Sequence, residues 1–90
     1  MKFKSVMQAD PNVCFYCSNY GTHDTHHVFN GAFRKKSEKD GFVVRLHHSC
    51  HMYIHEHPGA AIDMKRKAQE IYERTHTREE FMERYEKSYL

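Results

Sequence analysis

Cysteine and histidine crowd into one short stretch of this chain, His47-His-Ser-Cys-His-Met-Tyr-Ile-His-Glu-His57. Five of the nine histidines and one of the three cysteines lie there. His51 and His55 are four residues apart. On a helix such a pair shares a face, with Cβ atoms about 5–6 Å apart, so two imidazoles can ligate one ion. His47 and Cys50 are three apart and suit a second metal at the start of the same helix. Upstream stand Cys14-Phe-Tyr-Cys17 and the doublet His26-His27. A C-x-x-C pair can clasp zinc from a tight knuckle. Its thioredoxin-like redox reading needs a βαβ setting, which the sequence does not offer. Alone, the His51/His55 pair would read as plain surface. With two further ligand groups upstream, the expectation is a metal-centred site.

Ninety residues make one domain, 1–90. A hydrophobic fraction of 39% and no Trp leave a small core, which a structural metal would help to hold. Three cysteines cannot all pair in disulfides, and the apolar run after Lys2 and Lys4 is too short for a signal peptide. Both point to a reducing compartment, with thiolates used for zinc. No stretch approaches the roughly 20 apolar residues of a membrane span, so no membrane partner is expected. Net charge is only +2, but it is uneven. Residues 1–57 hold seven Lys/Arg against five Asp/Glu, and residues 58–90 hold seven against seven. The excess lies with the ligand cluster and mildly favours a polyanionic partner.

The elements that must position these groups follow from local pattern. Met1–Val13 reads as a loose arm or short helix ending at Asp10-Pro11-Asn12. Thr25–Phe29 is β-branched and aromatic, a short strand broken by Asn30-Gly31. Arg34–Gly41 is a charged loop with one helical turn capped by Ser37; such a run is either a solvated loop or a phosphate contact made by Arg34, Lys35 and Lys36. Phe42–Leu46 alternates as a second strand, with Phe42, Val44 and Leu46 on one face. Ser49 would N-cap the metal-bearing helix, and Pro58-Gly59 would stop it. Ala61, Met64, Ala68 and Ile71 then keep helical spacing and should face the core. Thr77-x-x-Glu80 is a capping-box pattern opening a last helix.

The order Cys14-x-x-Cys17, His26-His27-x-Phe29, Gly31, Arg34, Ser37-Glu38, Gly41, Leu46-His47-x-x-Cys50-His51-x-x-x-His55 resembles the HNH endonucleases. It is most similar to a small branch common in bacteriophage and prophage genomes. The resemblance covers about residues 14–58, leaving 59–90 as a C-terminal helical extension. It implies an α+β fold with a ββα-metal (HNH/His-Me finger) core, a zinc knuckle and C-terminal helices. It implies metal-dependent cleavage of phosphodiester bonds in DNA. By position, His27 would be the general base, and His26, His51 and His55 would bind a catalytic divalent ion, Mg²⁺, Mn²⁺, Ni²⁺ or Zn²⁺. Cys14, Cys17, His47 and Cys50 would hold a structural zinc, with His48 as an alternative to His47. Arg34 and Lys36 would contact substrate. Phage packaging or recombination proteins are the partners such a nuclease would have, in the cytoplasm of a bacterial host if phage-encoded.

Two positions depart from the family pattern. His47 stands where a cysteine is usual, and imidazole is an ordinary zinc ligand. Phe42 stands where the family has a central Asn that ties the loop together and helps orient the base; Asn30 is the nearby candidate for that task. The chemistry suits the residues. A neutral imidazole can deprotonate water near neutral pH, and adjacent strand residues point to opposite sides, so His26 and His27 can serve different tasks. Two other readings stay open. A non-catalytic zinc-finger-like nucleic-acid-binding module would leave His26-His27 unused, and a metal-stapled protein-interaction module would bind protein through the helical tail.

Overall fold

A computed structural model describes residues 4–90, so the first three residues of the predicted Met1–Val13 arm lie outside the described residues. The chain is a small mixed α+β fold. Its order is strand β1 (Asp24–His27), a 3-10 turn (Gly31–Phe33), helix α1 (Arg34–Lys39), strand β2 (Val43–Leu46), then helices α2 (His48–Glu56), α3 (Pro58–Tyr72) and α4 (Arg78–Tyr85). The strands pair antiparallel, with His26 opposite Val44 and His27 opposite Val43. The first strand begins and ends earlier than the β-branched pattern predicts. Val28 and Phe29 leave the ladder as the chain bends, but both stay buried, and the Val28 N–H still bonds to the Phe42 carbonyl at 3.0 Å.

The predicted face of β2 is correct: Phe42, Val44 and Leu46 are all buried. Val43, on the opposite face, is buried too, so the short sheet is covered on both sides. The stretch before the knuckle is pinned, not loose, and contains no helix among the described residues. Val6 N–H bonds to the Gly41 carbonyl at 2.9 Å. The Gln8 side chain accepts from Arg45 N–H at 2.6 Å and donates to the Arg45 carbonyl at 3.3 Å and to the Val13 carbonyl. Its amide thus stands in for a neighbouring peptide along the free edge of β2, where unpaired backbone groups would otherwise remain.

Two local expectations are corrected. The Arg34–Gly41 segment is a helix, α1, with Ser37 inside it and fully buried instead of capping it. Its hydroxyl accepts from Phe29 N–H at 3.2 Å and donates to the Phe42 carbonyl at 2.6 Å. One side chain thus joins the end of β1 to the start of β2. Ser49 does not cap α2, which starts two residues earlier than such a cap implies, behind an extended His47 (φ −62°, ψ 148°). Pro58 both ends α2 and occupies the first turn of α3, where its missing N–H costs nothing. The capping box of α4 forms as expected, Glu80 N–H to Thr77 Oγ1 at 3.1 Å and Thr77 N–H to Glu80 Oε1 at 2.9 Å.

The core centres on Phe29. Its ring stacks on Tyr85 with centroids 4.1 Å apart and lies 5.8 Å from Phe81 and 5.9 Å from Phe42. Met64 and Ala68 of α3 are buried, with Ala61 and Ile71 packed against the same cluster, as the helical spacing predicts. The C-terminal helices therefore complete the core of the strands instead of trailing from it. Asp40, just after α1, fastens them. Its carboxylate accepts from Arg84 Nε at 2.5 Å, Arg84 Nη2 at 2.9 Å and the Tyr85 hydroxyl at 2.6 Å. Burial, and then the Asp40 carboxylate, raise the pKa of Tyr85 well above its ordinary value, keeping it a donor. No helix among the described residues is long and apolar enough to cross a membrane.

The Ser37 bridge gives a direct prediction. Ser37→Ala should destabilise folding by about 1–3 kcal/mol, the penalty of leaving the buried Phe29 N–H without an acceptor. Urea unfolding of zinc-loaded protein measures it. A loss below a few tenths of a kcal/mol would show that the bridge is not needed.

Candidate metal centres

Two groups of ligand atoms converge, on either side of the first turn of α2. In the first, Cys14, Cys17, His47 and Cys50 bring their Sγ and ring nitrogen atoms within 4.8 Å of one another. Cys14 and Cys17 sit on a tight knuckle. It is closed by Ser18 N–H to the Cys14 carbonyl at 2.9 Å, with Ser18 in the left-handed region at φ 65°. Phe15 N–H to the Arg45 carbonyl at 3.0 Å ties the knuckle to β2, whose end leads straight into His47. Cys50 follows on α2.

His47, not His48, belongs to this group. Its Nε2 lies 2.8 Å from the Tyr20 carbonyl, which accepts the ring N–H, and this leaves the Nδ1 lone pair facing Cys17 Sγ at 3.2 Å. A backbone carbonyl fixing the tautomer of a ligating histidine is the usual outer support of a metal site. His48 points elsewhere, to Asp24. Burial works to raise the Cys14 thiol, but N–H donors from Cys17, His47 and Tyr16 outweigh it and lower its pKa to about 7. Burial, then the Cys14 and Cys17 sulfurs, push the Cys50 thiol up to about 12. Three thiols and one imidazole at such spacing can hold a metal such as zinc, whose tetrahedral Cys₃His sites are common.

The second group is His26, His51 and His55, whose ligand atoms also lie within 4.8 Å of one another. Asp24 Oδ2 accepts from His51 Nδ1 at 2.8 Å and from His48 Nδ1 at 2.8 Å. With Nδ1–H donating to Asp24, Nε2 is the His51 nitrogen left to ligate an ion. That nitrogen lies 3.1 Å from His55 Nε2. Two imidazole ligands at about 2.0–2.1 Å from one ion stand about this far apart. The ring of His26 lies 5.2 Å from His51 and 6.0 Å from His55. Burial first, then the neighbouring His51, His55, His27 and the Lys65 ammonium, lower its pKa to about 4. The bonds from His51 and His48 hold the Asp24 carboxyl below its usual range. The donor set therefore fits a divalent ion, with three imidazoles and a carboxylate behind one of them.

His27 is not part of either group. It follows His26 on β1 and so projects from the other side of the strand, where its Nε2 lies 3.7 Å from Glu38 Oε2 of α1. Its side chain is 11% exposed. Asn30 does not orient it: no hydrogen bond from the Asn30 side chain is found among the described residues, and its carbonyl caps the 3-10 turn by accepting from Phe33 N–H at 3.2 Å. Phe42 is a core residue, and it is Ser37 that ties the two ends of the intervening loop together.

Arg34 and Lys36 are not brought together. Arg34 shares the helical face of Glu38, four residues on, which is the face turned toward His27. Lys36 lies around the helix, 5.6 Å above the Phe33 ring, and donates to the Arg84 carbonyl at 3.2 Å. It anchors α4 instead of standing beside the histidines.

Sequence reading gave no role to Asp24 or Glu38. A period-2 signal existed for Asp24, which precedes His26 by two and so shares its face of the strand. For Glu38 the proximity to His27 depends on how α1 folds back over β1, which no local pattern reports. No protein-family model matches this chain, and no curated protein or solved structure is significantly similar to it.

Proposed function

We propose that this chain is an HNH-type endonuclease of ββα-metal architecture that hydrolyses phosphodiester bonds in DNA. The observation that carries the reading is the division of labour on β1. His26 converges with His51 and His55, while the adjacent His27 stands apart on the other side of the strand. A binding module held by one zinc has no use for either residue. In this reading Cys14, Cys17, His47 and Cys50 hold a structural zinc, and His26, His51 and His55 hold the catalytic divalent ion. The ion, when bound, neutralises charge on the phosphate and on the departing 3′ oxygen.

The chain's own groups supply the remaining steps. His27 Nε2 accepts a proton from the attacking water as that water closes on phosphorus. Glu38 Oε2 lies 3.7 Å from the same ring nitrogen and bounds the space in which that water would sit. Arg34 offers its guanidinium to a phosphate oxygen from the same face of α1. Asp24 holds His51 in the tautomer that ligates through Nε2.

The test is incubation of supercoiled plasmid with zinc-loaded protein and Mg²⁺, Mn²⁺, Ni²⁺ or Zn²⁺, read on a gel. Nicked or linear product with at least one ion is expected. Folded, zinc-loaded protein that cuts with none of them would sink the proposal. Asp24→Ala should weaken the second, exchangeable metal by about 10–100-fold while leaving zinc at the cysteines. Competition against a chromophoric chelator measures this, and an unchanged affinity would remove Asp24 from the metal site.

A further inference from the structure

The last five residues do not hang free. Glu86 takes a left-handed conformation (φ 71°) at the end of α4, and the chain turns back over α3. The fully buried Gln69 receives it: its Nε2 donates to Ser88 Oγ at 2.9 Å, and its Oε1 accepts from Tyr89 N–H at 2.7 Å. Arg66 Nε donates to the Tyr89 carbonyl at 2.9 Å. The Tyr89 ring is thereby fixed 5.9 Å from Phe29, two residues beyond His27.

Two ammonium groups gather on that ring. Lys65 Nζ lies 5.4 Å from its centroid and Lys87 Nζ 5.0 Å. Neither makes an ion pair or hydrogen bond to a protein acceptor among the described residues; the nearby Asp63 pairs with Arg66 instead. Burial, then the Lys87 charge, lower the Lys65 pKa. Like charges held on one pre-formed platform without a counter-anion repel each other, and the ring face offsets this only in part. An external polyanion would supply the missing partner.

We propose that Lys65 and Lys87, set on Tyr89, form a phosphate-contact site through which the C-terminal extension grips the backbone of the DNA strand. The inference deepens the nuclease reading and rests on it. It gives residues 59–90 a part in substrate binding that the HNH-like segment alone does not provide. A lysine pair of this kind contacts backbone as point charges and adds affinity without sequence preference.

Fluorescence anisotropy of a short labelled duplex, without divalent ion so that nothing is cut, tests it across about 50–200 mM salt. Each phosphate contact contributes about 0.9 to the slope of log K against log salt. Lys65→Gln with Lys87→Gln should therefore flatten the slope by about 2 and weaken binding most at low salt. Lys65→Arg with Lys87→Arg should restore it. Lys67→Gln, whose ammonium lies over Phe15 on a different side of α3, should leave the slope unchanged. Zinc content and melting, recorded on the same samples, exclude misfolding as the cause. A wild-type slope in the folded double glutamine variant would overturn the assignment, as would failure of the arginine pair to restore binding. Absence of any DNA binding by the unsubstituted protein would instead overturn the nuclease reading beneath it.

Discussion

Cys17→Ser is expected to abolish cooperative unfolding, and with it every activity of the chain. Cys17 is exposed, so the loss is not one of packing. Its sulfur faces His47 Nδ1 at 3.2 Å and belongs to the only four-membered ligand group among the described residues. The knuckle is otherwise held by few bonds, and the core it touches is small. Zinc at such sites contributes about 10–16 kcal/mol of apparent binding energy in finger peptides, as large as the whole stability of an ordinary domain at about 5–15 kcal/mol. Serine removes a thiolate and offers a poor replacement. Purified Cys17→Ser should carry well under one zinc per chain and show a broad, shallow melt by circular dichroism, where wild type carries about one zinc at this site and melts sharply. A variant that melts like wild type without zinc would show that the four residues are not a structural site.

His27→Ala should do the opposite, leaving the fold intact and removing the chemistry. The ring is outside both ligand groups, and its recorded polar neighbour is Glu38 at 3.7 Å. Truncation should therefore spare zinc content, second-metal affinity and DNA binding. Cleavage should fall by about 10²–10⁴, the usual contribution of a positioned general base. Single-turnover plasmid cleavage at saturating divalent ion measures it. Cutting at the wild-type rate by His27→Ala would mean that another group activates the water. His51→Ala and His55→Ala should fall between the two cases, folded and zinc-loaded but weak in the second metal.

Much of the site was legible because it is local. The i,i+4 pair His51/His55 and the i,i+3 pair His47/Cys50 need only one helix to face together, and α2 is that helix. Cys14 and Cys17 need only a knuckle. The strands were legible from Phe42, Val44 and Leu46, and the capping box of α4 from Thr77 and Glu80. What escaped depends on tertiary contact or on competing local uses of one residue. Ser37 looked like a cap because serine favours caps, yet its hydroxyl is spent across β1 and β2. Ser49 looked like an N-cap, but the geometry of His47, fixed by the Tyr20 carbonyl, starts α2 earlier. The choice between His47 and His48 was open because adjacent residues have equivalent spacing. It depends on where Tyr20 and Asp24 lie. Lys36 and Arg34 are two apart, and their separation follows only once α1 is known to be a helix.

The most direct test of the account is plasmid cleavage by a single preparation carried through loss and return of its exchangeable metal. Zinc-loaded protein is passed into chelator-treated buffer until elemental analysis finds about one zinc per chain, then assayed before and after adding a divalent ion. The expected result is a folded protein that does not cut, and cleavage that returns in proportion to occupancy of the second site. Full cleavage by the one-zinc form, or none at any occupancy of the second site, would contradict it.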